Sequence, residues 1–451
     1  MPDLRRKAVT HLASKSSTPK GSPRSSRPCS RRGTDEEYLS DDGSTISNES
    51  FDGFWDGADI KQSVGKDWEE ELEEAFDGIL ERKGTSTTGR EEALSQIVRL
   101  TTLRYTRSQI AGKESQLTSA LLKSLRNGRT DRESILACKA LSLLMITMSD
   151  YDQFYSSTST PLKMAIENHN SVQVKCAAIH TLALSAFLFA PSTHETQAVL
   201  DFYIEIVEND GHSIGAGDIE GVVIAALEAF ALLVTCLEDS EGTGQRAMPV
   251  LINQLESSDV GVRLISGECI ALLYEQHYNA QSEGEDEGAP SSQGPYDNIV
   301  HLTGLLSRLS TSSTKRISKA SRKAQHSTFR DVLLTVSSPK SSAPSETLVF
   351  HREMVVTIDT WSRFHVLQEL RRILTQGLHV HFSRNATIRE MLEYEGIVIE
   401  PDEDEMDEDF EQRKQEKKSI QAEMRRTRQT SVKSERKTKG LQRVWTQEEE
   451  V

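Results

Sequence analysis

The stretch "PLKMAIENHNSVQVKCAAIHTLALSAFL", Pro161–Leu188, decides the fold. An apolar segment is followed by a short polar turn and then by a second segment rich in small residues, among them Ala177 and Ala178. This pattern predicts a pair of helices joined by a turn. One such pair cannot bury its apolar face alone, so it requires neighbours of the same design.

Three other stretches repeat this pattern. They are "LLKSLRNGRTDRESILACKALSLLMI", "VLDFYIEIVENDG" followed by "EGVVIAALEAFALLV", and "PVLINQLESSDVGVRLISGECIALLYEQ". Leu141, Leu182, Phe230 and Ile270 occupy equivalent positions, with steps of 41, 48 and 40 residues. Periods of about 40–47 residues are typical of HEAT and armadillo arrays. The sequence therefore predicts an all-α, armadillo- or HEAT-like solenoid, in preference to an irregular helical bundle.

The composition of the 451 residues predicts five segments along the chain. We expect a disordered segment, basic and then acidic, at 1–66; a repeat domain at 67–335 with an acidic loop at 280–296; a linker at 336–346; a small, mainly helical C-terminal domain at 347–399; and an acidic block with a basic helical tail at 400–451. The charged termini are rich in polar residues and cannot bury enough apolar surface to fold alone.

Charge is strongly segregated along the chain, although the net charge is −16. The segment Gln412–Val444 contains twelve Lys or Arg residues and three acids, and it follows nine acids in Glu400–Glu411. Such a cationic helix repels itself unless anions surround it, and RNA phosphate is an intracellular partner of this kind. The residues predicted to bind RNA are Lys414, Lys417, Lys418, Arg425, Arg426, Arg428, Lys433, Arg436, Lys437 and Lys439.

A second basic patch is predicted from the Ser-rich stretch that follows the repeats. It comprises Lys315, Arg316, Lys319, Arg322 and Lys323. Two other interpretations of the C-terminal tail are considered, and the excess of bases over acids disfavours the first. The tail could be an exposed helix held by its own ion pairs, such as Arg413 with Glu416, or "MRRTRQ" and "KSERKTKG" could be nuclear-import signals.

Catalysis and metal binding are not expected. The five cysteines form no C-x-x-C pair, which is typical of a reduced intracellular protein without disulfides or zinc. "GHSIG", Gly211–Gly215, matches a nucleophile elbow, but no β/α alternation surrounds it, so we interpret it as an inter-helix loop. His379 and His381 have no evident third metal ligand and are interpreted as packing residues. We expect no cofactor and no small-molecule substrate.

No membrane span is expected either, because the longest apolar stretch identified, Val222–Val234, is short and contains Glu228. In the C-terminal region, Thr347–Phe350 and Met354–Ile358 are predicted to pair as strands. A helix is predicted to begin at Trp361 and to stop before Gly377. Asn385 is predicted to cap another helix.

Three motifs together resemble the interferon-related developmental regulator family. "ILERKGTSTTGREEALSQIVRLT", Ile79–Thr101, is similar to the start of the family's N-terminal domain, and "RKAQHSTFRDVL", Arg322–Leu333, is similar to its end. "W…LQELRRILTQGLHVHFSRNATIREML", Trp361–Leu392, resembles the C-terminal domain. The family-motif residues to which we assign structural roles are Phe329, Arg330, Trp361, Gly377, His381, Asn385 and Arg389.

The resemblance implies a non-enzymatic regulator of gene expression, present in the cytoplasm and the nucleus. One implied role is binding to translationally inactive ribosomes, in which a C-terminal helix occupies an RNA-lined channel. The other is transcriptional co-regulation through protein partners that bind the solenoid. The basic tail favours the first role, and with it a protein that restrains translation.

Overall fold

A computed structural model describes residues 68–81, 84–237, 239–283, 294–312, 318–338, 344–350 and 354–398. These residues are mainly helical, and one two-stranded sheet is present among them. The predicted all-α class is confirmed. The disorder predicted for 1–66 and for the charged C-terminal end lies outside the described residues.

The repeat region consists of helices joined by short turns. In chain order they are α1 (Trp68–Leu80), α2 (Thr87–Leu103), α3 (Arg107–Ile110), α4 (Glu114–Asn127), α5 (Asp131–Thr147), α6 (Phe154–Asn168), α7 (Val172–Phe189), α8 (Thr193–Glu208), α9 (Glu220–Val234), α10 (Glu241–Gln254), α11 (Val260–Glu283), α12 (Ile299–Thr311) and α13 (Lys319–Ser337). The four predicted pairs are α4–α5, α6–α7, α8–α9 and α10–α11. Helix α11 extends four residues into the predicted acidic loop.

Serine and threonine residues fix where several of these helices begin. The Thr130 hydroxyl accepts a hydrogen bond from the Glu133 amide at 3.1 Å, and Ser86 and Ser318 cap α2 and α13 in the same way. Each cap satisfies an amide that lacks an intrahelical partner. The polar turns between the apolar segments therefore act as helix-start signals.

The second helices of the pairs form one continuous layer, because α2, α5, α7, α9, α11 and α13 each contact the next. Leu141, Leu182, Phe230 and Ile270, the equivalent positions of the predicted repeats, are all fully buried in this core. Small residues permit close approach: a Cβ on Gly267 would lie 2.8 Å from Phe329 Cε1. The predicted solenoid is therefore confirmed in its core and its periodicity.

Among the described helices, α7 is long and apolar enough to cross a membrane by length and composition, with a mean hydropathy of 1.5. Two thirds of this window, 67%, is buried, and α7 contacts α5, α6 and α9. Helix α7 is therefore apolar because it is a core helix of the repeats. The sequence analysis named Val222–Val234 as the longest apolar stretch and overlooked α7. Lys175 interrupts the apolar residues of α7.

The C-terminal region begins with a short hairpin. Strand β1 (Glu346–Val349) pairs antiparallel with β2 (Val355–Ile358), so that Glu346 lies opposite Ile358 and Val349 opposite Val355. Each strand differs from its prediction by one residue at its ends. The hairpin is followed by α14 (Trp361–Leu374), a 3-10 turn (Thr375–Gly377), α15 (Leu378–Arg384) and α16 (Ala386–Met391).

Helix α14 lies against the layer of second helices, where it contacts α2, α5, α9 and α11. Residues 355–396 consequently belong to the same compact unit as the described repeats. The domain boundaries drawn from composition stay predictions. The consequence for function is that the chain's own C-terminal helices cover part of the repeat surface.

Candidate functional site

The predicted RNA-binding residues, Lys414 to Lys439, all lie outside the described residues, as do Lys315 and Arg316 of the second patch. The remaining members of that patch lie at the beginning of α13. Lys319 and Lys323 are exposed and Arg322 is half-buried. The structure therefore brings these three cations together on the first turns of one helix.

Several family-motif residues lie in a contact that we call the seam, formed by α14–α16 and the repeat helices α2, α5, α7, α9 and α11. Gly377 permits the closest approach, because a Cβ at this position would lie 1.7 Å from the Thr102 carbonyl oxygen. The fully buried His381 places Nε2 at 2.9 Å from the Thr101 carbonyl oxygen. Burial lowers the pKa of His381 to about 4, so the ring is neutral at physiological pH.

Asn385 joins two elements through its side-chain amide. Its Nδ2 donates to the Ile146 carbonyl oxygen at 2.9 Å, and its Oδ1 accepts from the Thr387 amide at 3.0 Å. One side chain therefore caps α16, as predicted, and attaches that helix to α5. Arg389 holds the preceding turn by donating to the Phe382 and Ser383 carbonyls, each at 2.9 Å.

The beginning of α14 is fixed by α11 and α13. The Glu275 carboxylate of α11 accepts hydrogen bonds from the Trp361 and Ser362 amides at 2.8 and 3.0 Å. The buried Trp361 ring donates through Nε1 to Thr335 Oγ1 at 2.9 Å. A carboxylate at a helix N-terminus satisfies free amides and interacts favourably with the helix dipole. Elsewhere in the motif, Phe329 packs against Gly267, whereas Arg330 is exposed.

Ionisable side chains recur at one repeat position along the seam, a set that we call the ladder. Lys139, His180, Glu228 and Glu268 lie two residues before Leu141, Leu182, Phe230 and Ile270, respectively. Position-equivalent residues on stacked helices point in similar directions, so the four side chains form a row. This row was missed in the sequence, although the alignment of the four repeats contains it.

Helix α14 presents a matching set of residues at helical spacing: His365, Glu369 and Arg372. Lys139 Nζ donates to the Arg372 carbonyl oxygen at 3.2 Å. His180 lies between two carboxylates, with Nδ1 at 3.6 Å from Glu369 Oε2 and Nε2 at 3.5 Å from Glu228 Oε2. Arg372 binds Glu369 through two nitrogens, with Nε 2.8 Å from Oε2.

Burial and these neighbours determine the charges in the seam. Burial opposes ionisation of Glu369, but Arg372 and His180 lower the pKa of its carboxyl to about 2. Burial lowers the pKa of His180, and the Arg372 charge adds to this effect. Burial also raises the pKa of Glu228 to about 7, although this side chain keeps 28% of its exposure. The Arg372–Glu369 pair is therefore a well-compensated ion pair at neutral pH.

Glu268 of the ladder and His365 of α14 lie at the other end of the seam. Burial, with a smaller contribution from Glu228, raises the pKa of Glu268 to about 8. Burial lowers the pKa of His365 to about 4, against the opposing effect of a hydrogen bond to the Glu268 main chain. Both groups are thus held in their neutral forms near pH 7, in contrast to the Arg372–Glu369 ion pair.

The two motifs that resemble active sites have other roles. "DFYIEIV" is part of α8, and Ser213 lies in a 3-10 turn, so the strand that a nucleophile elbow requires does not precede it. His379 and His381 lie on α15, where residues two apart point in different directions. His379 packs against Phe350, with ring centroids 5.1 Å apart. Among the described residues, no group of three or more His, Cys, Asp or Glu side chains is placed to hold a metal ion.

Comparison with known proteins identifies the family. The family model for interferon-related developmental regulators matches residues 39–337. The chain belongs to the interferon-related developmental regulator family. An uncharacterised protein of Schizosaccharomyces pombe is 29% identical over 353 residues, covering 76% of this chain and 79% of that protein.

Two vertebrate family members are similar over nearly the same length. Interferon-related developmental regulator 2 of Mus musculus is 25% identical over 354 residues, which cover 75% of this chain and 76% of the relative. Interferon-related developmental regulator 1 of Homo sapiens is 24% identical over 351 residues, which cover 75% of this chain and 74% of the relative. Membership of the interferon-related developmental regulator family supports a role as a regulator of gene expression. Together with the all-helical fold, it favours a non-enzymatic protein.

Proposed function

We propose that this protein binds ribosomes through the RNA contacts of its basic C-terminal tail, binds protein partners through its repeat helices, and thereby restrains translation. The observation that carries the proposal is the charge of Gln412–Val444, twelve cationic side chains against three acids in a chain of net charge −16. An acidic body is repelled by RNA phosphate, so contact concentrates in the segments of opposite charge. Gln412–Val444 is the more cationic of two such segments, since residues 1–34 hold nine Lys or Arg and one acid. We further propose that the protein is present in both the cytoplasm and the nucleus.

Phosphate recognition suits this tail better than base recognition. Arginine and lysine neutralise phosphates and release condensed counterions, which is a sequence-independent source of affinity. Within Gln412–Val444 no aromatic residue is available for base stacking. We therefore propose that shape and phosphate spacing, as in folded ribosomal RNA, determine where the tail binds.

The seam joins the last helices before the tail to the repeat helices. The tail follows α16 in the chain, and α16 is joined to α5 by Asn385 while α15 is joined to α2 by His381. A partner that holds the tail would in this way also hold the repeat helices.

Protein partners are proposed to bind repeat surfaces that α14 leaves uncovered. The chain's own helix occupies part of the layer of second helices. Large apolar side chains remain exposed on other helices: Met164 on α6, Val300 on α12 and Leu334 on α13. These residues are candidates for the apolar part of a partner contact.

The test is co-sedimentation of purified protein with ribosomes at moderate salt. Reversing three charges in the tail, Arg425→Glu, Arg426→Glu and Arg428→Glu, is expected to abolish co-sedimentation. The matched control reverses three charges in the N-terminal segment, Arg24→Glu, Arg27→Glu and Arg31→Glu, which changes the net charge equally. Unchanged sedimentation of the tail variant, or an equal loss in the control, contradicts the proposal.

The alternative is a nuclear transcriptional co-regulator whose basic clusters act only in nuclear import. The sequences "MRRTRQ" and "KSERKTKG" favour this alternative. Deleting residues 412–444 separates the two functions when localisation and RNA crosslinking are measured on the same variant. Loss of nuclear entry with retained RNA crosslinking supports the alternative, whereas loss of RNA crosslinking supports ribosome binding.

A further inference from the structure

The turn between α4 and α5 carries an unusual concentration of positive charge, which we call the basic turn. It comprises Lys123, Arg126, Arg129 and Arg132, and all four residues are exposed. The corresponding stretches of the next three pairs, residues 164–173, 204–221 and 250–261, contain no Lys or Arg. The basic turn is therefore a property of the first part of the repeat array and not of the repeat pattern.

No intramolecular ion pair accounts for these four charges within the part of the chain that the structure describes. Arg126 makes one long hydrogen bond from Nε to the Leu122 carbonyl oxygen, at 3.4 Å. The buried acid beside the turn, Glu133, is already bound by Arg90, with nitrogen–oxygen distances of 2.9 and 3.1 Å. Asp131 is an exposed acid of the turn and Glu91 of α2 accepts a hydrogen bond from Thr130, but the four cations outnumber these two acids.

Helix stability explains only half of the cluster. Lys123 and Arg126 lie at the end of α4, where the helix dipole favours cations. Arg129 precedes α5 and Arg132 lies in its first turn, where the dipole disfavours positive charge. Two arginines at this unfavourable position, with no ion-pair partner among the described residues, point to an external anion.

The backbone of the basic turn is firmly held. A Cβ on Gly128 would lie 2.5 Å from the Ser124 carbonyl oxygen, so the chain passes close to the end of α4. The Arg129 amide donates to Glu133 Oε2 at 3.3 Å, and Ser134 Oγ donates to the Leu125 carbonyl oxygen at 3.3 Å. Arg90, which binds Glu133, also donates to the Thr85 carbonyl oxygen at 2.9 Å. The four side chains therefore extend from a fixed frame, and little backbone entropy is lost on binding.

We propose that the basic turn is a second RNA-binding surface, which contacts the phosphate backbone while the C-terminal tail binds elsewhere on the same RNA. This inference rests on the proposed function, because it names a further contact for the same ligand. Three of the four residues are arginines, whose planar guanidinium groups bind phosphate through two hydrogen bonds. Two linked contacts on one RNA raise the overall affinity beyond that of either contact.

The experiment compares four full-length chains for binding to a fluorescently labelled RNA hairpin across a series of salt concentrations. They are the unchanged protein, a turn variant (Arg126→Glu, Arg129→Glu, Arg132→Glu), the tail variant (Arg425→Glu, Arg426→Glu, Arg428→Glu) and the combination of both. The turn variant is expected to bind about tenfold more weakly at moderate salt, with a shallower dependence on salt concentration. The combined variant is expected to bind more weakly than either.

Two additional variants control for general charge effects: Lys163→Glu with Arg308→Glu, which changes two cations of α6 and α12 outside the basic turn, and Arg126→Glu with Arg129→Glu within it. An equal loss of RNA binding in these two variants contradicts the proposal. Circular dichroism verifies that each variant retains its helices. If the turn variant binds RNA as the unchanged protein does while the tail variant is impaired, RNA binding by the basic turn is refuted and RNA binding by the tail is supported. If the turn variant is impaired and the tail variant is not, the tail proposal fails and the basic turn stands.

A further arm distinguishes RNA from an acidic protein surface. Polyglutamate of similar charge replaces the hairpin as the labelled probe. If the turn variant loses polyglutamate binding but keeps RNA binding, the surface serves an acidic protein and the proposal is overturned. If the unchanged protein does not bind polyglutamate and the turn variant loses RNA binding, the proposal is supported.

Discussion

Gly377 shows how the absence of a side chain permits the close contact in the seam. The Gly377→Ala variant is expected to lose about 1–3 kcal/mol of unfolding free energy, because the added Cβ would lie 1.7 Å from a main-chain oxygen of Thr102. Urea unfolding measures the loss. The control is Gly304→Ala in α12, where an added Cβ meets no atom within 4 Å. Equal stabilities of the two variants would contradict the close contact.

Asn385 contributes two hydrogen bonds that a smaller residue cannot replace. Asn385→Ala removes the cap of α16 and leaves the Ile146 carbonyl without this donor, so we expect a loss of about 1–3 kcal/mol. Thermal unfolding measures the difference. Asn168→Ala is the matched control, because the exposed Asn168 amide bonds to its own helix at the Met164 carbonyl. A similar shift in both variants would show that Asn385 has no special role.

The identity of these residues could be predicted from the sequence, but their contacts could not. Gly377, His381 and Asn385 stand out in the family motif, and Asn385 was predicted to cap a helix. Their partners Thr101 and Ile146 are 280 and 239 residues distant from His381 and Asn385, respectively. Local spacing contains no information about contacts at such separations, because tertiary packing decides them.

The helix pairs are the part of the fold that the sequence predicted best. The period of the apolar pattern predicted all four pairs, and the reference residues from Leu141 to Ile270 are buried as expected. The ladder lies in the same alignment, two residues earlier in each repeat. What faces it could not be predicted, since Lys139 and Arg372 are 233 residues apart. The hydrophobic period determines the elements, whereas the position of α14 depends on the whole folded surface.

The ladder predicts how the stability of the seam depends on pH. Burial and Glu228 raise the pKa of Glu268 from 4.5 to about 8 in the folded protein. The folded state therefore binds more protons than the unfolded state between these values, so this group's contribution to stability falls as pH rises through the folded pKa. Glu268→Gln removes the ionisation. Relative to the unchanged protein, the free energy of unfolding of this variant should rise by about 1–2 kcal/mol between pH 5 and pH 9. This value is smaller than the pKa shift alone would give, because Glu268 is partly exposed.

Urea unfolding at pH 5, 7 and 9 measures this difference. Glu369, His365 and Arg372 face the ladder from α14 and are unchanged in the variant. The control is Glu92→Gln, which neutralises an exposed carboxyl on α2 and should leave the pH dependence as it was. A difference between Glu268→Gln and the unchanged protein that stays constant with pH would show that Glu268 does not titrate as described.

The molecule as a whole combines an acidic middle with cationic segments near both ends. Its described repeats and C-terminal helices form one compact unit, and the excess of lysine and arginine follows that unit in Gln412–Val444. Composition was sufficient to locate this excess, because net charge over a segment is additive. Composition could not reveal that α14 covers part of the repeat layer, which restricts the surfaces that are available to a protein partner.

The most direct test of RNA binding by the tail is ultraviolet crosslinking in cells, followed by identification of the crosslinked peptides and RNA. We predict nucleotide adducts on peptides from Gln412–Val444, with ribosomal RNA as the principal species, and their loss in the variant with Arg425, Arg426 and Arg428 reversed. Adducts absent from this segment in the unchanged protein, or adducts that persist after charge reversal, would contradict the account.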